Sequence, residues 1–132
     1  MNENIPHILH SSKTIAVVGL SNNPSRDSYD IASYMQQFGY TIIPVNPAIA
    51  EWNGIQSYPD LYSVPVKIDI VNVFRRSEFV PEIVDQAIAV HASVIWLQLG
   101  VIHEEAAERA EKAGLQMVMD RCIMVEHRIS SR

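Results

Sequence analysis

The sequence predicts an α/β fold: a single doubly wound domain with a mostly parallel sheet of five or six strands. Continuous apolar runs, typical of strands covered on both faces, alternate with segments whose apolar residues recur at helical spacing. No repeat, linker or low-complexity segment interrupts this alternation, and 132 residues fit one domain, spanning residues 1–132. Strands that alternate with helices form a parallel sheet with helices on both faces.

The first predicted unit is a strand, a polar loop and a helix. The strand from Ile15 to Val18 is continuously apolar, and the helix is expected to begin between Ser25 and Ser28. Gly19 lets the backbone turn sharply and approach a ligand closely. A helix N-terminus beside such a turn attracts phosphate through its free N–H groups and its dipole. We therefore interpret the loop as a nucleotide-binding loop, with a simple tight turn as the alternative.

The second strand and the segment after it have less regular patterns. Thr41 to Val45 reads as a strand in which Pro44, having no N–H to donate, belongs near the strand end or at an irregular pairing. Between Ala48 and Pro65 there is room for one very short strand near Ile55-Gln56 and one helical turn from Asp60 to Ser63.

The rest of the chain continues the alternation. Ser77 is expected to cap a helix, and the acidic pair after His103 favours a structural helix start over acid–base chemistry. The remaining predicted elements are a short helix from Ile5 to His10, a strand from Ile68 to Phe74, a helix after Ser77, a strand from Ser93 to Leu97, a helix from about His103 to Ala113, a strand from Gln116 to Met119 and a short helix after Asp120-Arg121-Cys122.

Polar residues gather at the predicted carboxyl ends of the strands. Ligands of parallel sheets bind past these ends, at the point where the strand order reverses. The segments expected there are Gly19-Leu20-Ser21, Val45-Asn46-Pro47, Phe74-Arg75-Arg76-Ser77, Gln98-Leu99-Gly100 and Asp120-Arg121-Cys122.

Arg75-Arg76 is the only adjacent pair of basic residues in a chain with a net charge of −5. The negative charge argues against a nucleic-acid-binding surface, so an anionic ligand must be held locally. Positive charge at a helix start opposes the helix dipole and needs a counter-charge. We favour a phosphate contact for at least one of the two arginines; the alternative is a salt bridge with Asp120 or Glu78.

Composition and motifs exclude several classes of protein. The apolar runs are far shorter than the roughly 18 residues of a membrane span, and the N-terminus is not a secretory signal, so we expect a cytoplasmic protein. No Cys/His cluster predicts a metal site, and no nucleophile elbow, P-loop or Ser/His/Asp set predicts catalysis. The sequence therefore does not require an enzyme.

The five strand-end segments, in this order and spacing, resemble the stand-alone CoA-binding domain family of bacteria. Its Rossmann-like fold is that of the N-terminal domain of the succinyl-CoA synthetase α subunit. The resemblance covers about Lys13 to Glu126. It is carried by VVGLS at Val17 to Ser21, VNP at Val45 to Pro47, DIVNVFRRSE at Asp69 to Glu78, WLQLG at Trp96 to Gly100 and DRCIMVEH at Asp120 to His127.

The resemblance implies strand order 3-2-1-4-5 with an added strand, and a ligand, CoA or acyl-CoA, whose nucleotide end lies over the first loop. It also implies that Arg75 or Arg76 lies near the phosphates. The phosphorylated histidine of the synthetase belongs to a second domain that this chain lacks, which leaves a binding or regulatory module without ligase activity. The expected binding residues are Gly19, Leu20, Ser21, Ser25, Arg26, Val45, Asn46, Pro47, Phe74, Arg75, Arg76, Gln98, Gly100 and Cys122.

Two other functions stay open. An NAD(P)-type dinucleotide-binding protein is the weaker reading, because Gly-x-Gly-x-x-Gly is absent and the second strand ends in Asn46 instead of an acidic residue. The other open function is that of a subunit that uses a vestigial cleft to bind a protein partner, and the protein could also form a homo-oligomer. Cys122, the only cysteine, is hypothesised to lie within reach of the pantetheine arm of CoA, with an inert core thiol as the alternative.

Overall fold

The structure, a computed structural model, describes residues 1–131. No helix in this range is long and apolar enough to cross a membrane. The helices are α1 (Ile5–Ser11), α2 (Asp27–Gln37), α3 (Val80–Ala89, preceded by a 3₁₀ turn at Ser77–Phe79), α4 (Glu104–Lys112) and α5 (Ile123–Ser130). The strands are β1 (Thr14–Val18), β2 (Thr41–Val45), β3 (Glu51–Trp52), β4 (Ile55–Gln56), β5 (Ile70–Val73), β6 (Val94–Leu97) and β7 (Gln116–Val118).

The predicted doubly wound architecture is confirmed. Five strands form one sheet in the order β2-β1-β5-β6-β7, and every neighbouring pair is parallel. Ile15 of β1 lies between Ile42 of β2 and Ile70 of β5. Because the chain moves from β1 to β2 on one side and to β5 on the other, the strand order reverses between β1 and β5. This switch point is where sheets of this kind bind their ligands.

Each face of the sheet is covered by helices. One core cluster contains Val71 and Ile95 and includes the buried residues of α3 and α4. The other contains Ile15 and Trp96 and includes the buried residues of α1, α2 and α5. Trp96 is fully buried, and its indole N–H donates to the carbonyl oxygen of Arg121 at 2.8 Å. This bond fixes the segment that leads into α5 against the carboxyl end of the sheet.

The outer edge of β2 is paired only at its carboxyl end, by a single residue in place of a third strand. Tyr58 forms one parallel bridge with Val45. Its N–H donates to the Pro44 carbonyl at 3.0 Å, and its carbonyl accepts from the Asn46 N–H at 2.9 Å. Pro44 therefore occupies an outward-facing position where its missing N–H breaks no bond to β1. The third-strand position implied by the resemblance is thus held by Tyr58.

Strands β3 and β4 form a hairpin, of which the sequence interpretation predicted only the second strand. The short strand at Ile55-Gln56 is confirmed, but it pairs antiparallel with Glu51–Trp52. Asn53 and Gly54 both have positive φ, at 50° and 81°, as a type I′ turn requires. Asn-Gly between two short strands is a strong hairpin signal, and it was present in the sequence.

Two local predictions are wrong. No helix forms from Asp60 to Ser63: the chain makes a single turn, in which the Val64 N–H donates to the Leu61 carbonyl at 3.2 Å and the Asp60 carboxylate accepts from the N–H and hydroxyl of Ser63. Ser77 does not cap α3 with its side chain, since its hydroxyl accepts from the Ile102 N–H at 2.9 Å. His103 does cap α4, accepting from the Ala106 N–H at 3.1 Å, in agreement with the structural role favoured for it.

Candidate functional site

Gly19 connects β1 to the first loop at the switch point. Its φ is +87°, and a Cβ placed on it would lie 2.8 Å from the carbonyl oxygen of Phe74 and 3.0 Å from Cδ of Arg75. Its N–H donates to the Val45 carbonyl at 2.9 Å. The close approach made by this glycine is therefore to the end of the neighbouring strand β5, and the protein itself requires glycine here.

The loop that follows is held in shape by its own hydroxyl and amide groups. The Ser21 N–H donates to Oγ of Ser28, and Oγ of Ser21 accepts from the Asn23 N–H, both at 3.0 Å. Oδ1 of Asn23 accepts from the N–H and the hydroxyl of Ser25. Because these bonds already order the loop, a ligand that binds there does not have to order it.

A cavity of about 360 Å³ opens between this loop and the start of α2. Arg26 is the N-cap residue of α2, and its guanidinium, which has only donors, cannot accept a bond from the first N–H groups of the helix. The N–H groups of Asp27 and Ser28 have no hydrogen-bond partner within residues 1–131. These features suit an anion, although Asp27 puts a carboxylate in the same turn that Arg26 must offset. The cavity is lined by Gly19, Ser21, Ser25, Arg26, Asp27, Ser28 and Phe74.

The adjacent arginines after β5 have different surroundings. Arg76 pairs with Glu78 at 3.2 Å, with both side chains largely exposed, so the salt-bridge alternative is confirmed for Arg76. An exposed pair of this kind adds little stability. The guanidinium of Arg75 lies 4.2 Å above the ring of Phe79, and no carboxylate of the described residues pairs with it. Of the two adjacent arginines, Arg75 is therefore the one whose charge is left available for a ligand.

The carboxyl end of β2 is occupied by internal contacts. Nδ2 of Asn46 donates to the carbonyl oxygen of Leu20 at 3.0 Å, and its Oδ1 accepts from the Ala48 N–H at 2.9 Å. Leu20 and Val45 are buried, at 0% and 3% exposure. Of the four predicted binding residues in this region, only Pro47 has an exposed side chain.

The ends of β5 and β6 are joined by a buried pair of amide side chains. Oε1 of Gln98 accepts from Nδ2 of Asn72 and from the N–H of Ile123, both at 3.3 Å. Nδ2 of Asn72 also approaches the Trp96 carbonyl at 3.4 Å. The sequence interpretation named Gln98 but did not single out Asn72, a polar residue inside the otherwise apolar strand Ile70–Val73, which was the available signal.

The ends of β6 and β7 are tied together at the same edge. The Gly100 N–H donates to Oδ1 of Asp120 at 2.7 Å, and among residues 1–131 Asp120 forms no salt bridge with Arg75 or Arg76. Cys122 is the N-cap residue of α5, half-buried, and it packs against the same core cluster as Phe74. This position agrees with both predictions made for Cys122: a thiol within reach of the pantetheine arm, and an inert core thiol.

A second cavity, of about 640 Å³, lies at the opposite edge, near the amino ends of β1 and β2. There the Tyr34 hydroxyl and Nδ1 of His127 are hydrogen-bonded at 2.9 Å. Burial lowers the pKa of His127 below its ordinary value of 6.5. Burial, with a smaller contribution from Tyr34, raises the pKa of Tyr40 above 10.0. No cluster of His, Cys, Asp or Glu in residues 1–131 could hold a metal ion.

Comparisons with known proteins agree with this geometry. The chain is 44% identical over 126 residues to "Uncharacterized protein YneT" of Bacillus subtilis, covering 96% of this chain and 93% of that one. A "hypothetical protein from Pyrococcus horikoshii OT3" of known structure is 38% identical, with a TM-score of 0.95 over 100% of this chain and 93% of that one.

A larger relative is "Acetate--CoA ligase [ADP-forming] I" of Archaeoglobus fulgidus. It is 26% identical over 121 residues, which are 84% of this chain but only 18% of the ligase. The family described as "CoA binding domain" matches residues 13–128. This range contains every strand of the sheet and all five strand-end segments, and the chain therefore belongs to the CoA binding domain family.

Proposed function

We propose that this protein binds coenzyme A or an acyl-CoA at the carboxyl edge of its sheet, as a binding or regulatory module without ligase activity of its own. The observation that carries the proposal is the cavity at the switch point, where Arg26 and two unpaired amides of α2 meet the end of β5. Membership of the CoA binding domain family supports CoA as the ligand. Because the chain matches only 18% of the ligase, the activity of that enzyme is not carried over.

The charges around the cavity fit the phosphates of CoA. The molecule carries a pyrophosphate and a 3′-phosphate, while the protein has a net charge of −5 and needs local cations to hold them. Neither Arg26 nor Arg75 forms an ion pair with a described residue. Arginine–phosphate hydrogen bonds are charge-assisted, and each is worth about 1.5–3 kcal/mol.

An NAD(P)-type ligand is less well supported. A dinucleotide-binding fold of that type places an acidic side chain at the end of the second strand, where it bonds to a ribose hydroxyl. Here Asn46 occupies that place, and both ends of its amide are bonded within the protein. The ribose of NAD would therefore lack its usual partner.

Isothermal titration calorimetry with CoA and with NAD⁺ tests the proposal. We expect CoA to bind and Arg26→Ala or Arg75→Ala to weaken its affinity by about tenfold or more, in line with one lost charge-assisted bond. Arg76→Ala is expected to cost less, because its guanidinium is already paired with Glu78. Arg128→Ala, which removes a cation over the ring of Tyr34 far from this edge, is the control for net charge.

The results separate the alternatives. Tighter binding of NAD⁺ than of CoA by the wild-type protein would replace the proposal with the dinucleotide reading. Absence of binding of either ligand would favour the partner-binding reading. Equal losses for Arg75→Ala and Arg128→Ala would mean that Arg75 acts only through net charge, which predicts that the loss disappears with added salt.

A further inference from the structure

The buried amide pair of Asn72 and Gln98 has features of a recognition site that are separate from the 360 Å³ cavity beside the first loop, called the phosphate cavity below. Both residues are almost fully buried, at 2% and 6% exposure. Buried polar side chains normally use all their hydrogen-bonding groups. Here Oε1 of Gln98 accepts two bonds, whereas its Nε2 has no partner within residues 1–131.

Two main-chain groups fix the orientation of both amides. The N–H of Ile123 can only donate, so the Gln98 atom beside it must be the oxygen Oε1. The carbonyl of Trp96 can only accept, so the Asn72 atom beside it must be the nitrogen Nδ2. With both orientations set, Asn72 donates to Gln98, and the two donor hydrogens of Gln98 Nε2 are left over.

This free donor group is not fully enclosed by the protein. Within residues 1–131, Trp52 Nε1 is the only fully buried side-chain nitrogen or oxygen without a hydrogen-bond partner. Gln98 Nε2 also lacks a partner, so it must reach the surface, and it does so from a residue at the carboxyl end of β6.

The amide pair lies on the same face of the sheet as a residue that lines the phosphate cavity. Phe74, the residue that follows β5, lines that cavity, and Asn72 lies two residues before it, so both side chains point to the same face of the sheet. Gln98 is bonded to Asn72 across the neighbouring strand. A ligand whose phosphates occupy the cavity therefore passes the amide pair if it extends along the carboxyl edge toward α5.

We propose that Gln98 Nε2 donates a hydrogen bond to an amide carbonyl of the pantetheine arm of CoA, and that Asn72 is the positioning residue that holds Gln98 in this orientation. The inference rests on the proposed function and deepens it. The pantetheine arm carries two secondary amides, whereas the nucleotide end of CoA carries none. Because the proposed function places the phosphates in the cavity beside the first loop, the amide pair is assigned to the arm.

The affinities of wild type and three variants for two ligands test this assignment. Gln98→Glu keeps Oε1 for the bonds from Asn72 and Ile123 but replaces the free donor with an oxygen. In calorimetry, we expect Gln98→Glu to lower the affinity for CoA about tenfold. The affinity for 3′,5′-ADP, which lacks the arm, is expected to change by less than about twofold. Asn72→Leu is expected to show the same selective loss. Gln116→Glu, an exposed position on β7, controls for the added charge.

A second measurement needs no variant. In the wild-type protein, the side-chain NH₂ signals of Gln98 in a ¹⁵N–¹H spectrum are expected to shift with CoA and to stay in place with 3′,5′-ADP. Equal losses for both ligands in the Gln98 variant, or NH₂ signals that CoA does not move, would overturn the amide assignment while CoA binding stands. Failure of wild type to bind either ligand would overturn the proposed function itself.

Discussion

Gly19→Ala is expected to destabilise the protein for two reasons that the structure separates. The φ of +87° costs a residue with a Cβ about 1–2 kcal/mol. In addition, the new Cβ would lie 2.8 Å from a main-chain oxygen, that of Phe74, which cannot move without disturbing β5. Overpacking of this kind costs about 1–3 kcal/mol. The expected loss of unfolding free energy is therefore about 2–5 kcal/mol.

Gly100→Ala is the matched control. Its φ is also +87°, but a Cβ on Gly100 meets nothing within 4 Å, so only the backbone term applies and the expected loss is about 1–2 kcal/mol. Urea unfolding of wild type and both variants, with an unchanged slope of free energy against denaturant, measures the difference. Equal losses for the two variants would refute the argument that the contact with Phe74, and not the turn, requires glycine at position 19.

Two further predictions concern single side chains. If Cys122 reaches the pantetheine thiol, incubation with oxidised CoA is expected to add a dithiothreitol-sensitive CoA adduct to wild type and not to Cys122→Ser. Wild type that binds reduced CoA but gains no adduct would favour the alternative, an inert core thiol. The lowered pKa of His127 means that the folded state binds this proton less well than the unfolded state, so its contribution to stability is present above pH 6.5 and is lost as the pH falls below that value. When the pH is lowered from 7.5 to 5.5, the urea midpoint of wild type is expected to fall further than that of His127→Gln. Equal falls would contradict the assignment to His127.

The sheet and its helices could be predicted from the hydrophobic pattern of the sequence, because burial in the core requires apolar residues at the spacing of each strand or helix. Continuous apolar runs such as Ile15–Val18 are typical of strands whose two faces are both covered by helices. Short polar segments leave weaker traces. The Asn53-Gly54 turn was a recognisable hairpin signal that the sequence interpretation missed. The segment from Asp60 to Ser63 makes only one turn, too short for its residue pattern to distinguish from a turn of helix.

The candidate site was predictable by position but not by role. Strand ends converge in any parallel sheet, which places Gly19, Asn46, Arg75 and Gln98 at one edge. What each does there depends on partners far away in sequence, such as the Phe74 carbonyl facing Gly19 or the Leu20 carbonyl bonded by Asn46. The division of work between Arg75 and Arg76 depends on which guanidinium finds Glu78. The cytoplasmic location, the extent of a single domain and any oligomer or partner stay predictions from the sequence.

The replacement of a whole strand by Tyr58 makes protection of the sheet edge depend on one residue. Tyr58 pairs only with the carboxyl end of β2, and the outward N–H and carbonyl of Ile42 have no partner among residues 1–131. A groove of about 470 Å³ runs beside them, lined in part by Ile55, Pro65 and Val66. An open strand edge over an apolar groove is a template for pairing between chains. Pro44 and the Tyr58 bridge keep that open stretch too short to pair with a second chain. A change that displaced Tyr58 is therefore expected to make the folded domain associate through the exposed edge of β2.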